Sequence, residues 1–220
     1  MATCIIIPAY NAAEFIADVA REALQTGFPL LVVDDGSRDG TAACLKGLPV
    51  NLVIHRENLG KGMALRSGFA WALKHGFAGA VTMDGDGQHD PSAIPLLAKV
   101  AAENGLDILI ASRAEQFRQM SGLRSTWNRF GSWCMETRTG FVIDDSQSGF
   151  RYYSARLLRG VELRSAGYEL EMEVLLKAWR CGFRIDSIPV SARVADGRAT
   201  SHFRAFRDTW NICMTFLRYM

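Results

Sequence analysis

The chain has 220 residues, of which 49% are hydrophobic and 22% are charged, and its formal net charge at pH 7 is +2. This length allows one domain with a substantial core, and the composition is that of an ordinary globular protein. The small positive charge gives no support to nucleic-acid binding. The five cysteines are odd in number, widely spaced and without a Cys-x-x-Cys pair, which argues against a disulfide framework or a zinc site and favours the reducing cytosol.

The start of the sequence has no basic segment followed by an apolar one, and nowhere do about 18 apolar residues follow one another. We therefore expect neither export nor a membrane-spanning helix from these residues. No linker, low-complexity segment or internal repeat divides the chain. The sequence thus predicts a single domain over residues 1–220.

In the first half of the chain, short apolar runs typical of buried strands alternate with amphipathic runs typical of helices. Asn11, with Glu14 three residues further on, is predicted to cap the first helix. This alternation predicts an α/β fold with a mostly parallel sheet, helices on both faces and ligands at the carboxyl ends of the strands. The predicted strands are 4–8, 30–33, 50–54, 80–83 and 107–111, and the predicted helices follow Asn11, span 61–74 and span 91–102.

After residue 113 the alternation stops. The segment 116–140 mixes arginines with aromatic and aliphatic residues and has no strand pattern. Beyond it the sequence predicts strands at 150–153 and 184–190 and a helix at 168–179. A last helix is predicted at 203–220, where a spacing of three and four residues places four apolar side chains on one stripe: Phe206, Trp210, Cys213 and Leu217.

The most informative stretch of the chain is 81–91, where an apolar run ends in two aspartates one residue apart. Alternate residues of an extended segment point the same way, so Asp84 and Asp86 can face one point in space. Two anionic oxygen ligands suit Mg²⁺ or Mn²⁺, and Mg²⁺ usually keeps its other positions for water and substrate phosphates. The pattern therefore predicts a metal-bound diphosphate, although an ordinary surface turn rich in Asp and Gly is the alternative from this stretch alone.

Six motifs in this order along the chain resemble those of family 2 glycosyltransferases of the GT-A fold, a single domain with a mostly parallel, Rossmann-like sheet. The resemblance is greatest to the subgroup that contains dolichyl-phosphate mannose synthase and other polyprenyl-phosphate sugar transferases. Two features depart from it: many relatives have Asp-Ala-Asp in place of Asp84-Gly85-Asp86, and many continue into transmembrane helices. The motifs are Ile-Pro-Ala-Tyr-Asn (7–11), Val-Asp-Asp-Gly-Ser-Arg-Asp-Gly-Thr (33–41), Asn-Leu-Gly-Lys-Gly (58–62), Met-Asp-Gly-Asp-Gly-Gln-His-Asp-Pro (83–91), Ser-Gln-Ser-Gly-Phe-Arg (146–151) and the Glu-rich helix start at 168–173.

The resemblance implies a nucleotide-sugar-binding half at 1–113 and an acceptor half at 114–220. A donor site is implied for Pro8, Tyr10, Glu14, Asp35, Lys61, Asp84, Asp86 and Gln88, of which the last three would hold Mg²⁺ or Mn²⁺. An acceptor-phosphate site is implied for Arg124, Ser148, Arg151, Arg193, His202 and Arg204, and catalytic roles are implied for Asp86, Arg113 and Asp145.

Three of these assignments have a plain structural alternative. Asp35 could cap the helix that follows it. Lys61, together with Arg66, could belong to a solvated helix face. Arg113 follows a strand end, where a guanidinium can bind phosphate with two hydrogen bonds, but arginines are also common on protein surfaces.

The implied reaction is displacement of a nucleoside diphosphate at the anomeric carbon with inversion. A lipid-phosphate acceptor is already anionic near neutral pH and requires no strong base, whereas a sugar hydroxyl requires a carboxylate to take its proton. Asp145 is the candidate base, and Glu171 and Glu173 are weaker candidates. Since Glu171 and Glu173 lie two residues apart on a helix, they cannot both face the site, and at least one is expected to be structural.

Aromatic and basic residues share the segment 116–140 and the C-terminal helix, which predicts peripheral contact with the cytoplasmic face of a membrane. Packing of these aromatics on the sheet or in a dimer is the alternative. The sequence does not specify the base, the sugar or the oligomeric state.

Two other function classes compete with a glycosyltransferase. A nucleotidyltransferase would carry a glycine-rich basic loop near its start, which residues 4–16 lack. A non-catalytic nucleotide-sugar-binding module would have no need of both metal carboxylates together with Asp145. The expected partners are therefore a nucleotide sugar and a polyprenyl-phosphate or glycolipid acceptor, without nucleic acid.

Overall fold

The computed structural model describes residues 2–112, 145, 148–191 and 205–219, with the side chains of 205–209 and 217 excepted. These residues form strands and helices that alternate along the first half of the chain, as predicted. The strands are β1 (Thr3–Ala9), β2 (Leu30–Asp34), β3 (Asn51–Ile54), β4 (Gly79–Thr82), β5 (Ile108–Ser112), β6 (Arg151–Ser154) and β7 (Ile185–Pro189). The helices are α1 (Ile16–Leu24), α2 (Thr41–Cys44), α3 (Lys61–Lys74), α4 (Ile94–Asn104), α5 (Ala155–Gly160), α6 (Leu170–Arg180) and α7 (Ala205–Tyr219), and a 3₁₀ turn, Pro91–Ala93, precedes α4.

The described strands form one sheet in the order β3-β2-β1-β4-β6-β5-β7. Every neighbouring pair is parallel except the two pairs made by β6, which runs antiparallel to β4 and β5. The prediction of an α/β fold with a mostly parallel sheet is confirmed. A parallel sheet needs both faces covered, which is why the inner strands read as continuous apolar runs rather than as alternating patterns.

The core lies on both faces of the sheet, and successive residues of β1 face opposite sides. Ile6 packs with apolar residues of α3 and α6. Ile5 and Ile7 pack with apolar residues of α1 and α4 on the other face. All three isoleucines are fully buried. Helices therefore cover both faces, as the sequence predicts.

The antiparallel strand β6 enters the sheet at the edge where the parallel strands end. Its first residue, Arg151, pairs with Thr82 at the end of β4. The hydroxyl of Thr82 donates a hydrogen bond of 2.8 Å to the carbonyl of Gly149. The segment 148–150 therefore lies at the carboxyl edge of the sheet, next to the loop that carries Asp84.

The first helix does not begin where the sequence predicts. Asn11 has a positive φ of 48° and is not a helix cap. Its amide donates to the Ser37 hydroxyl at 2.9 Å, and its side-chain oxygen accepts from the Arg38 amide at 3.0 Å. Helix α1 starts at Ile16, with Phe15 at the N-cap position and no side-chain cap. The hydrogen bonds of Asn11 therefore join the end of β1 to the loop after β2. This is a tertiary contact, which a local sequence pattern does not encode.

Glu173 holds the loop that leads into α6. Its carboxylate is fully buried and accepts hydrogen bonds from the backbone amides of Arg164 and Ser165. It also forms an ion pair with Lys177. The hydroxyl of Tyr219, in α7, also donates to it. Burial opposes ionisation, but the Lys177 and Ser165 hydrogen bonds outweigh it and lower the pKa of Glu173 to about 2. The expectation that at least one of Glu171 and Glu173 is structural is therefore confirmed for Glu173.

Helix α7 packs against α6 through apolar residues on one side, Ile212, Phe216 and Tyr219. Its opposite side carries Trp210 and Met214, which are 63% and 47% exposed. Across the described part of the chain, no helix combines the length and apolar character needed to span a bilayer.

Replacing Glu173 by Gln should destabilise the fold at pH 7 by about 1–3 kcal/mol, because the amide cannot pair with Lys177. The folded-state pKa lies below the ordinary value of 4.5, so the stabilisation is present above pH 4.5 and is lost as the pH falls toward 2. The difference in unfolding free energy between parent and variant should therefore shrink over that interval. Glu162→Gln, which removes only an exposed ion pair with Arg164, is the control and should change stability little. A difference in unfolding free energy between parent and Glu173→Gln that stays constant with pH would contradict the lowered pKa of Glu173.

Candidate active site

Three charged side chains meet at the carboxyl edge of the sheet. The Lys61 ammonium lies 2.7 Å from Asp84 Oδ1 and 3.1 Å from Glu171 Oε1. On its other oxygen, Asp84 lies 3.3 Å from His89 Nε2. The Lys61 ammonium also lies 5.4 Å from the centre of the Tyr168 ring. We call Lys61, Asp84 and Glu171 the charged cluster.

Close backbone packing brings Lys61 and Glu171 together. A Cβ on Gly60 would lie 2.5 Å from the carbonyl oxygen of Ala166, and a Cβ on Gly62 would lie 2.6 Å from the carbonyl carbon of the same residue. The start of α3 can therefore lie directly against the loop that leads into α6 only because both positions are glycine. This contact sets Lys61, the first residue of α3, opposite Glu171 in the first turn of α6.

Gly149 lies against the charged cluster, and sequence reasoning did not single it out. A Cβ at this position would lie 2.9 Å from both Asp84 Oδ2 and the Lys61 ammonium and 3.0 Å from Glu171 Oε1. Its place follows from the antiparallel direction of β6, since the residues before that strand pass the end of β4. The only sign of this position in the sequence is that the glycine belongs to the Ser-Gln-Ser-Gly-Phe-Arg motif, which does not show which side chains the glycine contacts.

The charges of the cluster shift one another's proton affinities. Burial would lower the pKa of Lys61, but the carboxylates of Asp84 and Glu171 raise it well above its usual range. Burial would raise the pKa of Asp84, but the Lys61 charge and the hydrogen bond with His89 hold it far below its usual range. Near neutral pH, Lys61 is therefore cationic and Asp84 anionic.

Asp86 behaves differently from Asp84. Burial and the negative charge of Asp84 together raise the pKa of Asp86. Its carboxylate accepts a hydrogen bond of 3.1 Å from the Gln88 amide. Residues 85–86 form a turn and not an extended segment, so the two aspartates come together through the turn. In the described part of the chain, no group of three or more His, Cys, Asp or Glu residues is arranged to hold a metal ion.

A polar cavity of about 370 Å³ opens at the ends of β1, β2 and β3. Tyr10, a predicted donor residue, lines it, as do Arg38 and the backbone and side chains of residues 54–58. Pro8 is partly buried near the end of β1, and Glu14 is exposed in the loop before α1.

Asp35, another predicted donor residue, lies just after the end of β2. It is 2% exposed, and its carboxylate accepts from the amides of Leu59 and Gly60 at 3.0 and 2.8 Å. His55 Nδ1 lies 2.6 Å from the same carboxylate. Asp35 does not cap the helix after it either; it binds the segment just before α3.

The acceptor prediction also needs revision at the residues that the structure describes. Arg151 is fully buried and donates to the carbonyls of Ser148 and Glu171 at 2.6 and 3.0 Å, so it supports the loop. Ser148 is fully buried and accepts a hydrogen bond from the Phe150 amide. Asp145 is fully buried, and its carbonyl accepts from the Ser148 amide.

Several predicted residues lie outside the described part of the chain. The aromatic and basic segment 116–140 lies outside it as well. The residues are Arg113, Arg124, Arg193, His202 and Arg204.

The sequence profile described as Glycosyl transferase family 2 matches residues 4–160, which is well over half of the chain. This chain belongs to glycosyltransferase family 2. An undecaprenyl-phosphate mannosyltransferase of Micrococcus luteus is 32% identical over 209 residues, which cover 87% of this chain and 83% of that protein. A polyprenol monophosphomannose synthase of Mycolicibacterium smegmatis is 31% identical, with 86% of this chain and 76% of that protein covered. The predicted family and subgroup are confirmed.

The glycosyltransferase also resembles solved structures. Glucosyl-3-phosphoglycerate synthase from Mycobacterium tuberculosis, crystallised with Mn²⁺, UDP and phosphoglyceric acid, matches it with a TM-score of 0.78. The identity is 19%, and 99% of this chain and 78% of that chain are covered. A crystal structure of the same synthase with Mg²⁺ and UDP gives a TM-score of 0.75. At this identity the likeness concerns the fold, and it confirms the predicted GT-A fold of the glycosyltransferase.

Replacing Gly149 by Ala should impair the glycosyltransferase while leaving it folded. The added Cβ meets the ends of the Lys61 and Asp84 side chains, which can move aside but then lose their positions. We expect turnover to fall at least about tenfold, with a melting temperature within about 4 °C of the parent. Steady-state kinetics and thermal melting check this. Unchanged turnover in the folded variant would show that the positions of the charged cluster do not matter for activity.

Proposed function

We propose that this glycosyltransferase transfers a hexose, with inversion, from a nucleoside diphosphate sugar to a polyprenyl phosphate. The donor half is supported by the charged cluster, which lies at the same carboxyl edge of the sheet as the polar cavity. The acceptor half is supported by the two relatives at 31% and 32% identity, which are named for polyprenol and undecaprenyl-phosphate substrates.

The site has a place for the nucleoside of the donor and a place for its diphosphate. The nucleoside would occupy the cavity that Tyr10 and Arg38 line, and its diphosphate would extend toward the charged cluster. The Lys61 side chain at that end is only 15% exposed, and a poorly solvated cation attracts phosphate more strongly than an exposed one because less water screens it. Glu171 keeps Lys61 charged and in place until the diphosphate arrives.

The residues also fit a divalent ion. Asp84 and Asp86 bring two carboxylates together. Burial and the negative charge of Asp84 raise the pKa of Asp86, and a cation would relieve the repulsion between the two carboxylates. Such a site needs few protein ligands when phosphates complete it, and Gln88 lies beside it. Bound there, Mg²⁺ or Mn²⁺ would supply positive charge to the leaving nucleoside diphosphate.

The acceptor phosphate is favoured over a glycan hydroxyl by the position of Asp145. A hydroxyl acceptor needs a base that reaches its proton, and Asp145, the predicted base, is fully buried. A phosphate monoester is already anionic and attacks without a base. Lys61 then stabilises the negative charge that develops as the bond from the anomeric carbon to the diphosphate oxygen breaks.

A direct test uses a panel of nucleotide sugars with Mg²⁺ or Mn²⁺, each with and without an isoprenyl phosphate. Release of nucleoside diphosphate that requires the isoprenyl phosphate and yields a glycosylated lipid supports the proposal. Transfer to a sugar hydroxyl, with no response to isoprenyl phosphate, would refute the proposed acceptor but would leave the proposed donor unaffected.

Asp86→Ala should abolish metal-dependent donor binding without destabilising the protein. Removing Asp86 takes away one metal carboxylate, and it also removes the repulsion with Asp84, so the melting temperature should stay the same or rise. Mn²⁺ binding followed by electron paramagnetic resonance and donor binding followed by calorimetry both check this. A variant that binds donor as tightly as the parent in a chelator would refute the metal assignment.

We further propose that the protein works at the cytoplasmic face of a membrane and attaches through the outer side of α7. Trp210, Met214 and Arg218 are all exposed and lie four residues apart, so they share one side of this helix. The opposite side packs on the core. An aromatic ring, a flexible apolar side chain and a cation on one exposed helix face suit the headgroup layer of an anionic membrane.

Trp210→Glu should remove binding to anionic liposomes without unfolding the protein, because the ring is exposed and contributes little to the core. Sedimentation with vesicles of phosphatidylserine and phosphatidylcholine at low and high salt measures the binding. Leu96→Glu is the matched control, since Leu96 is 50% exposed on α4 and should have no effect. A parent protein that stays in the supernatant at low salt would refute membrane attachment.

A further inference from the structure

His55 joins three elements of the sheet edge in one hydrogen-bonded chain. It follows β3, and its side chain is only 10% exposed. Its Nδ1 lies 2.6 Å from Asp35 Oδ1, beyond the end of β2, and its Nε2 lies 2.9 Å from the Ser67 hydroxyl in α3. Since a carboxylate only accepts hydrogen bonds, Nδ1 donates to Asp35.

Asp35 closes the same loop at its other end. Its carboxylate accepts from the amides of Leu59 and Gly60, so His55 and residues 59–60 are tied to a single buried side chain. A Cβ on Gly36, whose φ is +71°, would lie 2.4 Å from the Glu57 carbonyl carbon, so the backbone of the loop lies directly on the turn after β2. At its two ends the loop 55–60 makes backbone hydrogen bonds, from the His55 amide to the Asp34 carbonyl at 2.9 Å and from the Ala64 amide to the Gly60 carbonyl at 3.1 Å. Between these ends, the contacts with Asp35 and Gly36 fix its path.

This loop forms one wall of the polar cavity. Arg56, Glu57 and Asn58 line the cavity and are exposed, and none forms a side-chain hydrogen bond or ion pair within the described part of the chain. Their polar groups can therefore bind a ligand without first breaking an internal contact. A loop ordered in advance binds with a smaller loss of conformational entropy than one that orders on binding.

We infer that His55 is a positioning residue for the nucleoside of the donor: the Asp35–His55–Ser67 chain holds the 55–60 loop in the conformation that binds it. This inference rests on the proposed donor site. Loss of His55 leaves Asp35 bonded to Leu59 and Gly60, directly before Lys61, so the charged cluster keeps its support. The effect should therefore fall on donor affinity and not on the chemical step.

The test compares His55→Ala, His55→Gln and Ser67→Ala with the parent. Calorimetry with UDP and GDP in the presence of Mn²⁺ gives affinities, and steady-state kinetics with the active nucleotide sugar gives KM and kcat. In His55→Ala we expect affinity to fall and donor KM to rise by about tenfold, the size expected from one lost hydrogen bond to a charged group, with kcat within about twofold. The carboxamide in His55→Gln can still donate to Asp35 and should restore most of the affinity. Ser67→Ala removes only the contact at His55 Nε2, so its nucleotide affinity should lie between those of His55→Ala and the parent.

Arg156→Gln is the matched control, because it removes hydrogen bonds to the buried Asp107 at the other end of the sheet. It should lower the melting temperature without changing nucleotide affinity. Unchanged affinity in folded His55→Ala overturns the inference, as does a fall in kcat as large as the rise in KM. If His55→Ala does not fold, Ser67→Ala decides by the same criterion. A parent that binds neither nucleotide refutes the proposed donor site itself, which is a separate outcome.

Discussion

The ion pairs of Lys61 with Asp84 and Glu171 are the interaction on which the arrangement of this site depends. Bringing these charges into a poorly solvated place is tolerated because they compensate one another, whereas removing one partner of such a pair typically costs about 3–5 kcal/mol. Three elements, α3, the β4 loop and α6, each supply one member. The pairing therefore fixes where these elements lie relative to each other and holds a cationic group at the carboxyl edge of the sheet.

Three glycines make that pairing sterically possible. Gly60 and Gly62 allow the start of α3 to touch the loop before α6, and Gly149 leaves room beside the charges. In the proposed donor site, the charged cluster would hold the diphosphate end, and the chain from Asp35 through His55 would hold the nucleoside end. Both consist of polar groups that are held by hydrogen bonds or ion pairs to one another, so the fold itself orders them.

Local patterns in the sequence predicted the elements well where the apolar period was clear. Helix α3 spans Lys61–Lys74, as predicted, and each predicted strand has a counterpart within about two residues. The prediction was wrong for Asn11, whose capping pattern was outweighed by hydrogen bonds to Ser37 and Arg38. The short helices α2 and α5 were not predicted, because a few residues give no periodic signal.

By itself, the sequence determined the α/β class, the family and the position of Asp84 and Asp86 at a strand end, because apolar periodicity and ordered motifs are local properties of the chain. Only the tertiary structure decided which charged residues meet. Lys61, Glu171 and Gly149 are far apart in sequence and come together through the reversed direction of β6 and the packing of the start of α3 on the loop before α6. It also decided that Arg151 and Asp35 are buried supports, since burial depends on neighbours contributed by distant segments and not on residue type.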